Sequence, residues 1–428
     1  MRLGGRLAAA IEILADMDAR HRPAADALKD WGLSHRFAGS GDRAAIGNIV
    51  YDALRLKRST AWRMDAETAR ANAFGALMTA GGDTPQSLDQ ALAGDSFAPP
   101  VLDDQERAAW ASRNLADAPD AVRADVPDWC VPHLQAAFGG DWIAEAAALA
   151  QRPPLDLRAN TLKASRAKVL KDLQHLGAMP GPIAPDAVRI APIEGSGRHP
   201  NVQAEPAFAK GWFEVQDEGS QIVALLTAPD APVQVLDYCA GAGGKTLALA
   251  AGFANKGQIF AYDSEKARLA PIFNRLKRAS VHNVQVFARA EALAPLESRM
   301  DLVLVDAPCT GSGTWRRRPD AKWRLSERQL ETRVGEQAAI LEQAARHVRP
   351  GGRLAYITCS VFPDENERQI EAFVATHPGF AVRDLRGEWA RKLPETVGRA
   401  RFGPFGAALS PRLTGTDGFF IGVLEREG

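Results

Sequence analysis

Beyond residue 229, short hydrophobic runs alternate with helical stretches, the order that a doubly wound, mostly parallel sheet requires. The runs predict strands near Val233–Tyr238, Gln258–Tyr262, Val284–Phe287, Leu302–Val305 and Arg353–Thr358, and a last one over Gly418–Leu424. Helices are expected after Gly244, Glu265 and Glu327, the third stopped by Arg349-Pro-Gly-Gly352. Upstream the texture differs. Residues 1 to about 122 read as helical, with Leu3, Leu7, Ile11 and Leu14 at helical spacing. Asp42 is placed to cap a helix in which Ile46, Ile49, Val50, Ala53 and Leu54 recur at three- and four-residue steps. Arg43, Asn48, Asp52 and Arg55 fall on its other face, and Asp83 to Pro100 predicts a loop between helices. Between 123 and 228 lies a small α/β pattern: a strand over Leu155–Ala159, a helix over Arg166–Leu176 and a strand near Ala187–Ile190. The expected domains are therefore 1–122, 123–228 and 229–428.

Composition narrows the function classes. At 428 residues, 46% hydrophobic and 24% charged, the chain is ordinary globular protein and too long for one core. Its 52 basic and 52 acidic residues balance, so a nucleic-acid surface must be a local patch. The four cysteines, Cys130, Cys239, Cys309 and Cys359, lie far apart with no histidine at metal spacing. This predicts free thiols in a reducing cytosol and no metal. No run approaches the length of a membrane span, and acidic Glu12, Asp16 and Asp18 argue against a transit peptide. A cytoplasmic protein that binds no membrane is expected.

Three features carry chemistry. The first strand runs into Cys239-Ala-Gly-Ala-Gly-Gly-Lys-Thr246. A triphosphate-binding loop needs glycine where Cys239 stands, and a dinucleotide turn needs glycine in place of Thr246. What remains is a tight turn with Asp263 at the end of the second strand, where a carboxylate accepts ribose hydroxyls. That suits an adenosyl cofactor without pyrophosphate, such as S-adenosylmethionine. Second, Cys309 and Cys359 each lie just past a hydrophobic strand, the edge at which open parallel sheets bind ligands. Two thiols there suggest nucleophilic catalysis. Third, Trp315–Arg324 packs five cations and two tryptophans into ten residues, as a surface for phosphates and stacked bases would. A loop with its tryptophans in the core is the alternative. Arg55, Lys57, Arg58 and Arg63 form a second basic cluster, read equally as RNA-binding or as a helix-end charge arrangement.

Asp237–Thr246, Asp306–Gly313 and Thr358-Cys-Ser360 resemble three signature motifs of the RsmB/Nop2/Sun family of RNA cytosine-5 methyltransferases. Leu157–Lys163, Val215–Gln221 and Arg317–Arg324 are similar to further family motifs, and the resemblance spans about 125 to 425. Through Asp42–Ile46 and Val50–Arg55, the helical segment is similar to the NusB-like domain of bacterial RsmB. The resemblance implies a Rossmann-like class I methyltransferase domain preceded by an RRM-like α/β domain and an all-α, NusB-like RNA-binding domain. It implies S-adenosylmethionine held by Cys239, Ala240, Gly241, Ala242, Gly243, Gly244, Lys245, Asp263, Arg268 and Asp306. It further implies a monomer acting on RNA: 16S ribosomal RNA first, tRNA as the nearest rival. A non-catalytic RNA-binding assembly factor on the same fold is the reading from another class. In the family the thiol equivalent to Cys359 attacks cytosine C6 and that equivalent to Cys309 assists release. DNA cytosine methyltransferases attack from the Pro-Cys motif, so the reverse assignment stays open. The chain departs from the family at Gly241-Ala242, where Ala-Pro is usual, and at Ala288-Arg-Ala-Glu291, where an adenine-contacting Asp is usual. Whether Lys245 and Asp306 face the base or the cofactor is left open by the sequence.

Overall fold

The computed structural model describes residues 1–428 apart from Pro232. The chain forms two compact units. One is Met1–Arg152 with Pro192–His199 and Trp315–Leu325; the other is Pro153–Ala191 with Pro200–Thr314 and Ser326–Gly428. Helices Val131–Phe138 and Trp142–Leu149 thus fall within the N-terminal unit, beyond the boundary expected at 122.

The first unit is helical. Leu7, Ile13 and Leu14 from helix Leu3–Arg20 share a core with Ile46 and Val50 from Ser40–Arg55 and Phe74 from Ala69–Thr79. Three expectations are corrected here. Asp42 is not a cap: Gly39 holds that position, and the Asp42 carboxylate takes the Met1 ammonium at 3.0 Å and Arg6 at 2.8 Å. Asp52 and Arg55 are buried rather than solvent-facing, paired at 3.0 Å, with Arg152 clasping the same carboxylate. The reason is that their helix is covered on both sides. Arg55 also donates to the Arg316 carbonyl at 2.8 Å, and Trp323 Nε1 donates to the Leu54 carbonyl at 2.7 Å. Within the expected 83–100 loop lies a helix, Pro85–Leu92, opened by a reciprocal Thr84–Ser87 cap and burying Leu88 and Leu92. Its turn-forming residues are its cap and first turn.

The second unit holds two sheets. Strands β1 (Leu155–Ala159), β2 (Met179–Pro180), β3 (Ala187–Ile190) and β4 (Phe213–Val215) pair antiparallel in the order β2-β3-β1-β4. Leu157 lies opposite Val188 and shares a core with Val169, Leu173 and Phe213. The larger sheet contains β5 (Gln234–Asp237), β6 (Gln258–Tyr262), β7 (Val284–Phe287), β8 (Met300–Asp306) and β9 (Val348–Thr358). It continues with β10 (Phe380–Val382), β11 (Arg401–Gly403), β12 (Gly406–Leu409) and β13 (Phe419–Arg426). Its order is β11-β12-β13-β9-β8-β5-β6-β7, with β10 paired to β13. Strands β5 to β9 run parallel, and β13 closes antiparallel against β9.

Parallel strands buried on both faces read as unbroken hydrophobic runs. Accordingly Leu302 and Leu304 of β8 enter one core while Val303 and Val305 enter the other. Ala355 and Ile357 of β9 oppose Leu354 and Tyr356 in the same way. Helix Glu327–Ala345 ends four residues before the expected Arg349–Gly352 stop, and that segment belongs to β9. There Val348 pairs with Met300 and Arg353 with Leu302, so Pro350–Gly352 forms an irregularity in the ladder, with Gly351 at φ 69°.

One buried ion cluster joins the small sheet to the large one. Glu214 of β4, 2% exposed, binds Arg275 at 3.0 Å and Arg278 at 2.6 Å on helix Ile272–Ala279. Arg275 also donates to the Ala242 carbonyl at 2.8 Å, which ties the glycine-rich turn to this cluster. Removing one partner of a buried ion pair strands the other. Glu214→Ala is expected to lower stability by about 3–5 kcal/mol in urea unfolding, and a loss under about 1 kcal/mol would contradict this role.

Candidate active site

Asp306 at the end of β8 lies opposite Ile357, next to the end of β9. Cys309 and Cys359 follow these two strands, and their sulfur atoms lie 3.4 Å apart, both partly exposed. The two chain ends are laced together. Ala307 N donates to the Ile357 carbonyl and Gly313 N to the Cys359 carbonyl, each at 2.9 Å. Ser312 Oγ lies 2.9 Å from Ser360 Oγ and accepts from Val361 N at 2.9 Å. Asn366 holds the Thr358 hydroxyl and donates to the Ser360 carbonyl at 3.0 Å. A Cβ at Gly313 would lie 2.2 Å from the Gly418 carbonyl oxygen, so only glycine lets these backbones approach. The Cys309 thiol is pushed well above the ordinary range, first by its hydrogen bond to Cys359, then by burial and by the charges of Cys359 and Glu365.

Sequence reasoning missed the residues behind this loop. Glu365, fully buried, accepts from Thr310 N at 2.8 Å and Thr310 Oγ1 at 2.5 Å. Gln337 Nε2 donates to Glu365 Oε1 at 3.0 Å and to the Pro308 carbonyl at 2.9 Å. The one available signal was the acidic run Asp364-Glu-Asn-Glu367, a few residues after the Cys359 strand end.

The glycine-rich turn lies at the carboxyl end of β5, at the start of helix Gly244–Gly252. Ala240 N donates to the Tyr262 carbonyl and Gly243 N to the Ala240 carbonyl, each at 2.8 Å. Gly243 has φ 81°, and a Cβ there would strike Ile272 at 2.5 Å. Gly241, at φ 48°, donates to Asp263 Oδ2 at 2.9 Å. A Cβ at Gly241 would fill space 3.7 Å from Arg268 Nη2 and 3.9 Å from Asp263 Oδ2. Asp263 is itself buried, and Oδ1 takes the Glu265 N–H at 2.8 Å, so it braces the turn. Asp237, under the turn, accepts from Thr246 Oγ1 at 2.6 Å, and burial pushes its carboxyl up to about 7. Burial likewise pushes the Cys239 thiol well up, the environment of an unreactive sulfur. Lys245, 5% exposed, binds Asp306 at 2.6 Å beneath the Phe419 ring. Its partner is more open: the Asp306 side chain is 36% exposed. Glu291 is exposed, in the short 3-10 helix Ala290–Leu296 that follows β7.

The expected basic and aromatic surface at 315–324 is corrected. Trp315, Arg316, Asp320 and Lys322 are buried within the helical unit, and burial pushes the Lys322 ammonium down to about 8. Only Arg318 and Arg324 of these ten residues are exposed. In the second cluster, Lys57 pairs with Asp18 at 2.9 Å and Arg58 with Asp128 at 2.6 Å. Arg63 stacks 3.4 Å from the Trp110 ring centre. Among the described residues no group of three or more His, Cys, Asp or Glu is arranged for a metal, and no helix is long and apolar enough to cross a membrane.

Residues 224–425 match the family described as 16S rRNA methyltransferase RsmB/F. Residues 126–193 match the ferredoxin-like domain of RsmF/B-like methyltransferases. Ribosomal RNA small subunit methyltransferase B of Salmonella typhi is 37% identical over 265 residues, 60% of this chain, and the match spans 59% of that relative's length. A solved methyltransferase homologue from Pyrococcus horikoshii is 27% identical with a TM-score of 0.58, covering 72% of this chain and 97% of its own. The solved structure of PH0851, 24% identical, covers 100% of both chains with a TM-score of 0.72, a likeness of fold. The chain thus carries a methyltransferase domain of the RsmB/RsmF family over residues 224–425, behind a ferredoxin-like domain of the same family over residues 126–193.

Proposed function

We propose that this protein transfers a methyl group from S-adenosylmethionine to C5 of a cytosine in 16S ribosomal RNA, through a transient bond between Cys359 and C6. The observation that carries this reading is the sulfur pair at the strand ends, 3.4 Å apart, in which the contact with Cys359 and burial push the Cys309 thiol up. The turn fits an adenosyl cofactor: Gly241 keeps clear a space bordered by Arg268 and Asp263, and the helix at Gly244 presents backbone N–H groups. Residues 239–245, with Asp263 and Arg268, would hold the cofactor, whose sulfonium supplies the methyl group as an electrophile. The 16S substrate is inferred from the family description and from the Salmonella relative.

Cytosine C5 is too weak a nucleophile to take a methyl group unaided. Addition of the Cys359 thiolate to C6 forms the S–C6 bond and pushes the C5=C6 pair onto C5, which then bonds the methyl carbon. Once Cys359 is a thioether, it no longer holds the Cys309 proton. Cys309 gives that proton to solvent and, as thiolate, takes the C5 proton. The C5–H pair restores the C5=C6 double bond, the C6–S bond breaks, and the Cys359 thiolate is returned beside a Cys309 thiol. Asp306, its carboxylate held by Lys245 at 2.6 Å, would accept from the cytosine amino group.

Cys359→Ala is expected to abolish methyl transfer while leaving cofactor affinity intact, and Cys309→Ala to accumulate an RNA–protein complex that survives a denaturing gel. Labelled methyl transfer with that gel checks both; normal turnover by Cys359→Ala would remove the assignment. Asp306→Asn is expected to slow single-turnover methylation by about 10²-fold or more with unchanged cofactor binding. An unaltered rate would place Asp306 outside the base site.

A further inference from the structure

Cys309 is held by both its chain neighbours. Glu365 takes the N–H and the hydroxyl of Thr310, and Gln337 spans from Glu365 to the Pro308 carbonyl. The Tyr356 phenol donates to the Glu365 carbonyl at 2.7 Å, which fixes the carboxylate's own backbone. The partners of the carboxylate are neutral: a backbone N–H, a hydroxyl and a side-chain amide. A buried carboxylate is costly, and a pin of this kind needs no charge. The charge calls for a use.

We propose that Glu365 is a positioning residue for product release, pinning the Pro308–Thr310 turn and setting a negative charge beside Cys309 so that this sulfur is placed, and basic enough, to take the C5 proton. This rests on the covalent reading above. The groups facing Cys309 are the Cys359 sulfur from the end of β9, the Glu365 carboxylate from the following turn and the Tyr356 phenol from within β9. Bonding of Cys359 to C6 removes its influence on Cys309, and that of Glu365 remains. A nearby anion disfavours the thiolate, and a thiolate that forms less readily is the stronger base. Glu365 thereby sets the pH above which Cys309 drives elimination. Nothing in the step requires a further reactant: the C5 proton moves to sulfur, and the C6–S pair returns to Cys359.

The test follows tritium release from RNA carrying 5-tritiated cytosine across pH, together with the covalent complex present at steady state. Glu365→Gln keeps the shape and removes the charge; the acid limb of release is expected about one pH unit lower than in the parent protein. Thr310→Val removes one bond of the pin and keeps the charge. It is expected to leave that limb in place while the covalent complex rises about tenfold, roughly 1.4 kcal/mol in the release step. A Glu365→Gln limb coincident with the parent overturns the electrostatic role. If that variant does not fold, unchanged covalent complex in Thr310→Val overturns the pinning. Cys309→Ala separates the two levels: if it traps RNA while both other variants release normally, the Glu365 proposal alone fails, and if it traps none the covalent reading fails first.

Discussion

The parallel pairing of β8 with β9 is the constraint on which the chemistry depends. With Asp306 opposite Ile357, the two chains leave the sheet side by side, and each carries a thiol within three residues of its last paired position. A slip of one residue would exchange the two faces of a strand and separate the sulfurs. The two hydrophobic cores, which take alternate residues of both strands, make such a slip costly. At 3.4 Å the two sulfurs are within hydrogen-bonding reach, and that contact, with burial, pushes the Cys309 thiol up. In the proposed mechanism, division of labour between two identical functional groups follows from backbone register and from one buried carboxylate behind the loop.

The cofactor turn is fixed by a different set of forces. Its glycines let the chain fold tightly against Ile272 and Asp263, while Arg275, anchored on Glu214 of the small sheet, holds the Ala242 carbonyl. The ferredoxin-like sheet therefore contributes to the geometry of the methyltransferase turn as well as to its own core. Residues 315–325, which follow the Cys309 loop in sequence, belong to the helical unit, where Trp315 and Lys322 are buried and Trp323 is partly so.

Much of this was legible in the sequence, for identifiable reasons. Strands β8 and β9 were, because burial on both faces writes them as apolar runs. The thiols and the turn were legible because chemistry in an open parallel sheet collects at strand ends. What lay hidden depends on partners distant in the chain. Glu365 and Gln337 act on residues 28 to 55 positions away, a relation no local spacing reveals. Asp52 and Arg55 looked solvent-facing because nothing near them shows that residues 315–325 pack on their helix. The same missing partner made Trp315–Arg324 resemble an RNA surface, since composition does not distinguish a charged face turned to water from one folded inward. Helix Pro85–Leu92 was concealed by its own cap, whose residues are also those of turns.

The central claim, that Cys359 alone bonds the pyrimidine ring, is tested most directly by locating the adduct. Substrate RNA bearing 5-fluorocytosine, which lacks the C5 proton needed for release, would be incubated with the parent protein and cofactor, digested, and sequenced by tandem mass spectrometry. The account predicts the nucleotide mass, with the methyl group added, on the peptide containing Cys359 and on no other. The same mass on the peptide containing Cys309 would contradict it.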